Sequence, residues 1–431
     1  MCAFHAFLKK LSIVFCVVSF IATAFSFGVM FVVGGPPFSG DWIVTGTESY
    51  SDQTIVLDGN LIVENGGNLT FRKVTLKMNC TYDAQYRIEV MPGGKFYVLD
   101  GSVITAVNPE KEFLFDVHVE SIFRMNSSEL HECGIEDGGS GLSISSKEVV
   151  IENSLLSNNW YAIMCSNCNP VIRNNNISWN RFEAVSLDHS NGTIEGNHIE
   201  NNGAGIRGDY YSSPVVRGNT IVKNAWPIHF YNNCSPIIQN NTLIANDNGI
   251  SLYSSDRCIL YGNSIEGNFS RPGIAMHDCE YNNVLNNTLT NNDHGIHLSQ
   301  SSNNVIDGNN ASYNHMGITV EGYSNNNTVT NNIASNNIGN GIYVNEGSSN
   351  NLIANNIFTY EACGVGITNN SSGNVIMDNA IVGNREGIKL LFYAPDNLFV
   401  GNTISSNWYR GVDIHGSPSN RVIGNIITNN T

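Results

Sequence analysis

A short pattern of one glycine followed by alternating aliphatic and variable residues recurs along most of the chain, in steps of 21 to 25 residues. Its copies are Gly141-Leu142, Gly205-Ile206, Gly249-Ile250, Gly273-Ile274, Gly295-Ile296, Gly317-Ile318, Gly341-Ile342, Gly387-Ile388 and Gly411-Val412, and the steps without the glycine are filled by Ile163, Val185, Ile228 and Ile367. Two further apolar stations lie between copies, as at Val215-Val216 and Ile221. Each station is short, rich in β-branched residues and bounded by Asn or Gly, which is typical of a strand. The pattern therefore predicts three short strands per repeat.

Three strands in each repeat describe one coil of a parallel β-helix. A leucine-rich repeat is the main competing architecture, but its repeated leucine scaffold is absent. We predict an all-β fold, a single-stranded right-handed parallel β-helix, with about 13 regular coils in residues 141–431. Residues 41–140 alternate as strands without the regular repeat, and we predict that they form a more irregular β portion that caps the core.

Asparagine follows the same period, and 59 of the 65 asparagines lie after residue 150. One column is Asn175, Asn197, Asn219, Asn241, Asn263, Asn287, Asn309, Asn332, Asn356, Asn379, Asn402 and Asn425. The other is Asn158, Asn180, Asn202, Asn224, Asn246, Asn268, Asn292, Asn314, Asn337, Asn384, Asn407 and Asn430, with Glu361 replacing one member. Asn tolerates the left-handed backbone of a bend, and stacked amides can hydrogen-bond from coil to coil. Because the apolar stations keep phase with these columns, we interpret them as internal ladders and not as a disordered Asn-rich tract.

The ladders explain an unusual composition. Charged residues are only 13% of the chain, and 37 acidic against 21 basic residues give a net charge of -16. This balance excludes a nucleic-acid binder held by a basic face. It also disfavours anionic partners in general, so a neutral glycan fits the charge better than an acidic one, which would need a local basic spot such as Arg207.

The chain begins with a predicted targeting segment, residues 1–37. Lys9 and Lys10 precede an uncharged apolar run, residues 11–33, and Gly34, Gly35 and two prolines follow it. The run fits either a cleaved signal peptide or a retained membrane anchor. In both cases we expect the rest of the chain to be exported, extracellular or at the cell surface, with the membrane contacted only through this segment. Asn-x-Ser/Thr sequons then predict glycosylation at some sites.

Eight cysteines follow the targeting segment. An even number in an exported chain permits disulfides. Cys165 and Cys168 form a single C-x-x-C pair without a second pair at zinc-site spacing, which disfavours structural zinc. We expect most of these cysteines to serve as small packing residues.

The Gly-Ile-x-Leu unit, together with halves such as Asn287-Thr288-Leu289-Thr290-Asn291-Asn292, resembles the pectin-lyase-like superfamily of right-handed parallel β-helices. It is most similar to the repeats of carbohydrate-binding proteins and sugar hydrolases and to the periplasmic copper-protein NosD type. The N-terminal segments also resemble large surface proteins of archaea. The resemblance covers about residues 130–431 and implies the fold; the matching positions build coils, so it implies no particular activity.

Candidate chemistry lies on the first strand of each coil, where residues between the inward aliphatics must point outward. Asp188, Asp209, Tyr231, Tyr253 and His277 are predicted to form one outward column, and Arg207, His229 and His297 the column beside it. Aromatic faces can stack on sugars, Arg can pair a uronate carboxylate, and two acids on adjacent coils would stand near the separation of a retaining hydrolase. We therefore take Asp188, Asp209, Arg207 and His229 as catalytic candidates, with Tyr231, Tyr253 and His277 as carbohydrate contacts. In a lyase, Arg207 or His229 would serve as the base.

A metal site is the competing interpretation, because the NosD resemblance implies copper. The weak candidates are His277, His294, His297 and His315, since imidazoles suit copper or zinc. Under the polysaccharide interpretation no cofactor is expected. Copper or calcium would be the bound ion under the alternative interpretation.

The sequence favours an exported protein that binds extracellular polysaccharide. An extended form of this hypothesis has the protein process the polysaccharide as well. Whether it is an enzyme stays open; a polysaccharide hydrolase, lyase or epimerase would fit. The alternatives are a structural surface or envelope protein without a catalytic site, and a NosD-like periplasmic copper-related protein.

Overall fold

The computed structural model describes residues 36–135, 140–267 and 270–431. Nearly all of the predicted targeting segment lies outside these residues, as does the ladder candidate Asn268. The described residues form 48 strands and no helix, and the strands pair in parallel from coil to coil. The all-β parallel solenoid is thus confirmed.

The first stack of strands carries the glycine-aliphatic motif. Its 17 members are Trp42–Val44, Leu61–Val63, Arg87–Val90, Leu114–Val117, Gly141–Ile144, Tyr161–Ser166, Glu183–Asp188, Ala204–Asp209, Trp226–Phe230, Ile250–Tyr253, Ile274–His277, His294–Ser299, Met316–Glu321, Asn340–Val344, Cys363–Thr368, Glu386–Leu391 and Arg410–Ile414. The solenoid therefore has about 17 turns, of which 13 begin at or after Gly141. At about 4.8 Å per turn the rod is roughly 75 Å long.

The second and third stacks complete each turn. The second contains Thr47–Leu57, Asn68–Met78, Lys95–Leu99, Ile122–Asn126, Glu148–Glu152, Val171–Arg173, Thr193–Glu195, Val215–Arg217, Ile237–Gln239, Ile259–Tyr261, Asn283–Leu285, Val305–Asp307, Thr328–Thr330, Leu352–Ala354, Val375–Met377, Leu398–Val400 and Arg421–Ile423. The third contains Val103–Ala106, Glu129–His131, Leu155–Ser157, Asn176–Ser178, His198–Glu200, Thr220–Val222, Thr242–Ile244, Ser264–Glu266, Thr288–Thr290, Ile333–Ser335, Ile357–Thr359, Ala380–Val382, Thr403–Ser405 and Ile426–Thr428. Inward aliphatic and aromatic side chains of all three stacks form one continuous core.

The amide ladders run inside the rod. Asn219 is typical: its Oδ1 accepts from the backbone N and the Nδ2 of Asn197, both at 3.0 Å. Its own Nδ2 donates to the Ile194 carbonyl at 3.0 Å and to Asn241 Oδ1 at 2.9 Å. Each amide therefore pairs its own coil with the coils on both sides, although its side chain is almost fully buried. This satisfies backbone groups that the turns would otherwise leave unpaired.

Two details of the predicted ladders are wrong. The second ladder starts at Asn159, which donates to Asn180 Oδ1 at 2.9 Å, and not at Asn158. The left-handed backbone also belongs to the residue before each ladder asparagine, as at Asn158 with φ 57 and Asn174 with φ 54. The bend must be made one residue earlier so that the following amide can turn into the rod. Asn is therefore used for two separate purposes at adjacent positions.

A third ladder escaped the sequence analysis. It begins where the backbone N of Cys258 donates to Asn282 Oδ1 at 2.7 Å. It continues through Asn304, Asn327, Asn351, Asn374, Asn397 and Asn420. These residues flank the second stack, at the boundaries of the apolar stations. Their spacing of 22 to 24 residues was the available signal.

The repeated glycine is explained by close packing between coils. A Cβ at Gly249 would lie 1.9 Å from the carbonyl oxygen of Gly273, and one at Gly317 would lie 2.4 Å from that of Gly341. Both distances are far shorter than any van der Waals contact, so only glycine allows these coils to stack. The eight cysteines are also internal: all are free thiols and buried, as expected for packing residues.

We expect the ladder to contribute strongly to stability. Replacing Asn219 with Ala leaves the Asn197 donors and the Ile194 carbonyl without partners inside the rod, at about 1–3 kcal/mol for each buried group. The midpoint of urea unfolding should fall clearly. Asn176→Ala is the matched control, because Asn176 is exposed on a neighbouring strand. Equal midpoints for the two variants would contradict a stabilising role for the ladder.

Glu361 makes the ladder sensitive to pH. It accepts from the backbone N of Asn337 at 2.9 Å and from its Nδ2 at 3.0 Å. Burial raises the pKa of this carboxyl from 4.5 to about 8, and the hydrogen bonds from Asn337 offset only part of the effect. Its stability contribution is therefore complete below about pH 4.5 and is lost as pH rises through about 8.

Between about pH 4.5 and pH 8, we expect the free energy of unfolding to fall by up to about 1.4 kcal/mol per pH unit. Glu361→Gln removes the titrating group and should abolish the fall, whereas the exposed-site control Glu148→Gln should keep it. Urea unfolding at pH 5, 7 and 9 measures the effect. A parent and a Glu361→Gln variant with the same pH dependence would refute this assignment.

Candidate functional site

The predicted outward columns are present on the first stack. Asp188 pairs with Asp209, and Arg207 lies between Ser186 and His229 in register. Tyr253 pairs with His277. Tyr231 and Tyr253 stack with ring centroids 5.0 Å apart and planes 11° from parallel. The columns thus bring together residues that are about 22 positions apart in sequence; their functional roles stay predictions.

A cleft of about 590 Å³ opens over these columns between residues 181 and 232. Its lining includes Phe182, Glu183, Ala204, Arg207, Asp209, Trp226, His229 and Tyr231. Three of the four catalytic candidates, Arg207, Asp209 and His229, are therefore in one cleft, together with the carbohydrate-contact candidate Tyr231. The volume is that of an ordinary small-molecule site.

Arg207 occupies the middle of the cleft between two carboxylates. Its Nη2 donates to Asp209 Oδ2 at 3.0 Å, and its Nη1 lies 3.5 Å from Glu183 Oε1. Both carboxylates are much less exposed than the guanidinium. Arg207 is therefore already neutralised by these two acids before any ligand arrives, and Arg181, which also lines the cleft, lies 3.8 Å from Glu112.

His229 is an uncharged imidazole at neutral pH. Its side chain is buried, and burial together with the charge of Arg207 lowers its pKa to about 4. The Trp226 and Tyr231 rings lie beside it at centroid distances of 5.9 and 5.4 Å. Its Nδ1 is buried without a hydrogen-bond partner. A buried, unpaired nitrogen is costly and indicates a position that a ligand can satisfy.

Glu183 is a cleft residue that the sequence analysis missed. It is buried, and its Oε2 has no hydrogen-bond partner. It stands one residue before an inward Ala184, in register with Ala204 and Trp226. The sequence signal was an acidic residue at the first position of a strand. The predicted outward columns contained only residues further along each strand. The cleft therefore holds two buried polar atoms, one on Glu183 and one on His229, that lack protein partners.

Asp188 lies apart from this group. Its carboxylate is half exposed and pairs with His189. It lines a neighbouring recess of about 480 Å³ that also includes Arg207 and Asp209. The two recesses are thus continuous through Arg207 and Asp209. Asp188 and Asp209 share a column, but their carboxylates face different partners, His189 and Arg207.

The histidines considered for a metal form a separate group on later coils. The His294 and His297 rings are 4.9 Å apart, and His297 Nε2 bonds Glu321 Oε1 at 2.9 Å. His315 Nδ1 lies 3.0 Å from Asp293 Oδ1, whereas His277 is exposed elsewhere. Within residues 36–135, 140–267 and 270–431, no group of three or more His, Cys, Asp or Glu side chains is arranged to hold a metal ion.

In the described parts of the chain, no helix is long and apolar enough to cross a bilayer. A comparison with curated protein sequences finds no match.

Solved structures with a similar architecture include a double-mutant form of the periplasmic alginate epimerase AlgG, at 13% identity and TM-score 0.47, with 87% of this chain and 78% of that one covered. The Azotobacter vinelandii mannuronan C-5 epimerase AlgE6 A-module is 17% identical at TM-score 0.35, covering 87% and 90%. The Dettilon tailspike protein is 15% identical at TM-score 0.34, covering 76% and 60%.

A family model described as "Right handed beta helix region" matches three overlapping segments, residues 120–265, 226–381 and 347–431. Together they span more than half of the chain, including every coil that carries the amide ladders and the cleft. The handedness predicted from the sequence agrees with this description. The chain belongs to the right-handed β-helix family.

Proposed function

We propose that this protein is exported and binds extracellular polysaccharide in the cleft around Arg207 and His229. The observation that supports this most strongly is the pairing of aromatic walls with buried polar atoms that have no protein partner. Phe182, Trp226 and Tyr231 offer apolar ring surfaces, and Glu183 Oε2 and His229 Nδ1 offer hydrogen-bonding atoms. A sugar ring presents an apolar C–H face and a rim of hydroxyls, so it matches both kinds of group.

The charge of the cleft favours a neutral sugar. Arg207 is paired by Glu183 and Asp209, and His229 is uncharged above its pKa of about 4. A uronate carboxylate would therefore have to displace one acid from Arg207, and the second guanidinium of the cleft, Arg181, already lies 3.8 Å from Glu112 Oε1. A neutral hydroxyl can donate to either carboxylate without this cost.

Processing of the bound saccharide is a second candidate function, favoured by the state of His229. A neutral imidazole with a free Nδ1 can accept a proton, and Glu183 offers a carboxyl oxygen in the same cleft. These are the parts that general acid–base chemistry needs. Arg207 holds Asp209 in position and can stabilise negative charge that develops on the substrate.

Binding is the first property to test. A panel of neutral polysaccharides (pullulan, galactomannan) and acidic ones (polygalacturonate, alginate) is immobilised, and binding of the protein is measured. We expect binding to at least one neutral member, with weaker binding to the acidic ones. Tyr231→Ala should weaken binding at least tenfold, because the ring surface is lost.

The control for this measurement is Tyr82→Ala, since Tyr82 is an exposed tyrosine on the N-terminal coils, far from the cleft. It should bind like the parent. Absence of binding to every member of the panel, or equal losses in both variants, would refute a saccharide cleft.

Turnover is tested with the polysaccharide that binds best, by following new reducing ends, unsaturated uronate or a change in sugar configuration. His229→Gln should abolish turnover and leave binding within a few-fold of the parent. Because the pKa of His229 is about 4, the base form persists at pH 5, and the rate should fall only as pH drops through about 4. A rate that falls near pH 6.5, where an ordinary histidine titrates, would contradict His229 as the base.

A further inference from the structure

One edge of the cleft is an aromatic ring with a single free face. Phe182 stacks on Tyr161 with centroids 5.1 Å apart and planes 13° from parallel, and it also stacks on Trp160 at 5.5 Å and 22°. Both partners belong to the preceding coil, so they cover the face of Phe182 that looks toward the N-terminal end of the rod. Phe182 is nevertheless 40% exposed. The part of the ring that these partners leave free lines the cleft beside the next coil.

The next coil leaves that face uncovered. The residues that follow Phe182 in the stack are Gly203 and Ala204, and both line the cleft. A Cβ at Gly203 would lie 2.5 Å from the Arg181 carbonyl oxygen, so glycine is required there and no side chain fills the space. Ala204 lies outside the hydrophobic core that the described residues form. Its methyl group makes the floor of the gap.

One coil further on, the gap is closed by Trp226. Glu183, Ala204 and Trp226 are consecutive partners in register, so Trp226 stands two coils beyond Glu183, the residue next to Phe182 in the chain. Two coil steps amount to about 9–10 Å. A ring placed between two walls needs about 7–8 Å, because carbon atoms in contact are about 3.5–4 Å apart. The gap therefore has the width for one sugar ring.

We propose that Phe182, Ala204 and Trp226 form a slot that takes one ring of a saccharide chain. This proposal rests on the proposed function of the cleft and adds a defined position for one sugar ring. From the slot a saccharide chain can continue over Arg207 and Asp209, because both residues also line the neighbouring recess beside Asp188.

The polar groups of the cleft suit a ring in this slot. Glu183 is in register with the floor residue Ala204, and its unpartnered Oε2 is available to a ring hydroxyl. His229 lies beside Trp226 at the other wall and offers its unpartnered Nδ1. The ring faces are thus bound by the walls and its rim by the two buried polar atoms.

Filling the slot tests the proposal. Ala204→Leu places three further carbon atoms between the walls, and Trp226→Ala removes one wall. Affinity for pullulan and for polygalacturonate fragments is measured by calorimetry. Each variant should lose at least tenfold in affinity for every fragment that the parent binds. Ala362→Leu, at the corresponding turn several coils away, is the matched control and should bind like the parent.

The outcomes separate this proposal from the function on which it rests. If the parent protein binds no polysaccharide of the panel, both the saccharide cleft and the slot are refuted. A parent whose binding is weakened by Tyr231→Ala but not by Ala204→Leu or Trp226→Ala has a saccharide cleft without the slot. If Ala204→Leu unfolds at lower urea than the parent, Trp226→Ala decides the question, since Trp226 is partly exposed and lies outside the core.

Discussion

The structure depends on hydrogen bonds between asparagine side chains and the backbones of neighbouring coils. A parallel solenoid must turn three times per coil, and each turn removes backbone groups from the strand ladders and buries them. The asparagine side chain carries a donor and an acceptor on one short stem, so a single residue can bond the coil before it and the coil after it. Asn219 does this with four side-chain bonds between 2.9 and 3.0 Å. Its repetition allows a rod with almost no internal charge.

This arrangement fixes the coil spacing, and the spacing is what builds the candidate site. When each coil is held in register with the next, residues about 22 positions apart become neighbours on the outer face. Arg207 can then reach Glu183 on the preceding coil and Asp209 on its own. Tyr231 and Tyr253 stack for the same reason. Such a surface is rigid before a ligand arrives, which lowers the entropy that binding must offset.

Sequence reasoning predicted the elements that repeat and failed where a local departure matters. The three strands per coil, the outward columns and two of the ladders follow from periodicity, because the period determines which residues stack. The start of the second ladder was misplaced by one residue, since Asn158 and Asn159 are both asparagines and only the backbone φ distinguishes them. Phe182 was missed because it lies just before a strand, and Glu183 and Trp226 because they are the first residues of theirs. At these positions no alternation indicates which way a side chain points.

The cleft lies where small residues separate two aromatic side chains at the turn. A glycine and an alanine follow Phe182, and Trp226 comes next, so a gap opens between large side chains. The ladder residues beneath, Asn180, Asn202 and Asn224, continue without interruption. The rod therefore keeps its register while the outer surface changes shape. A β-helix can in this way acquire a site by altering only outward residues at a turn, because the interactions that hold the coils together are internal and separate from it.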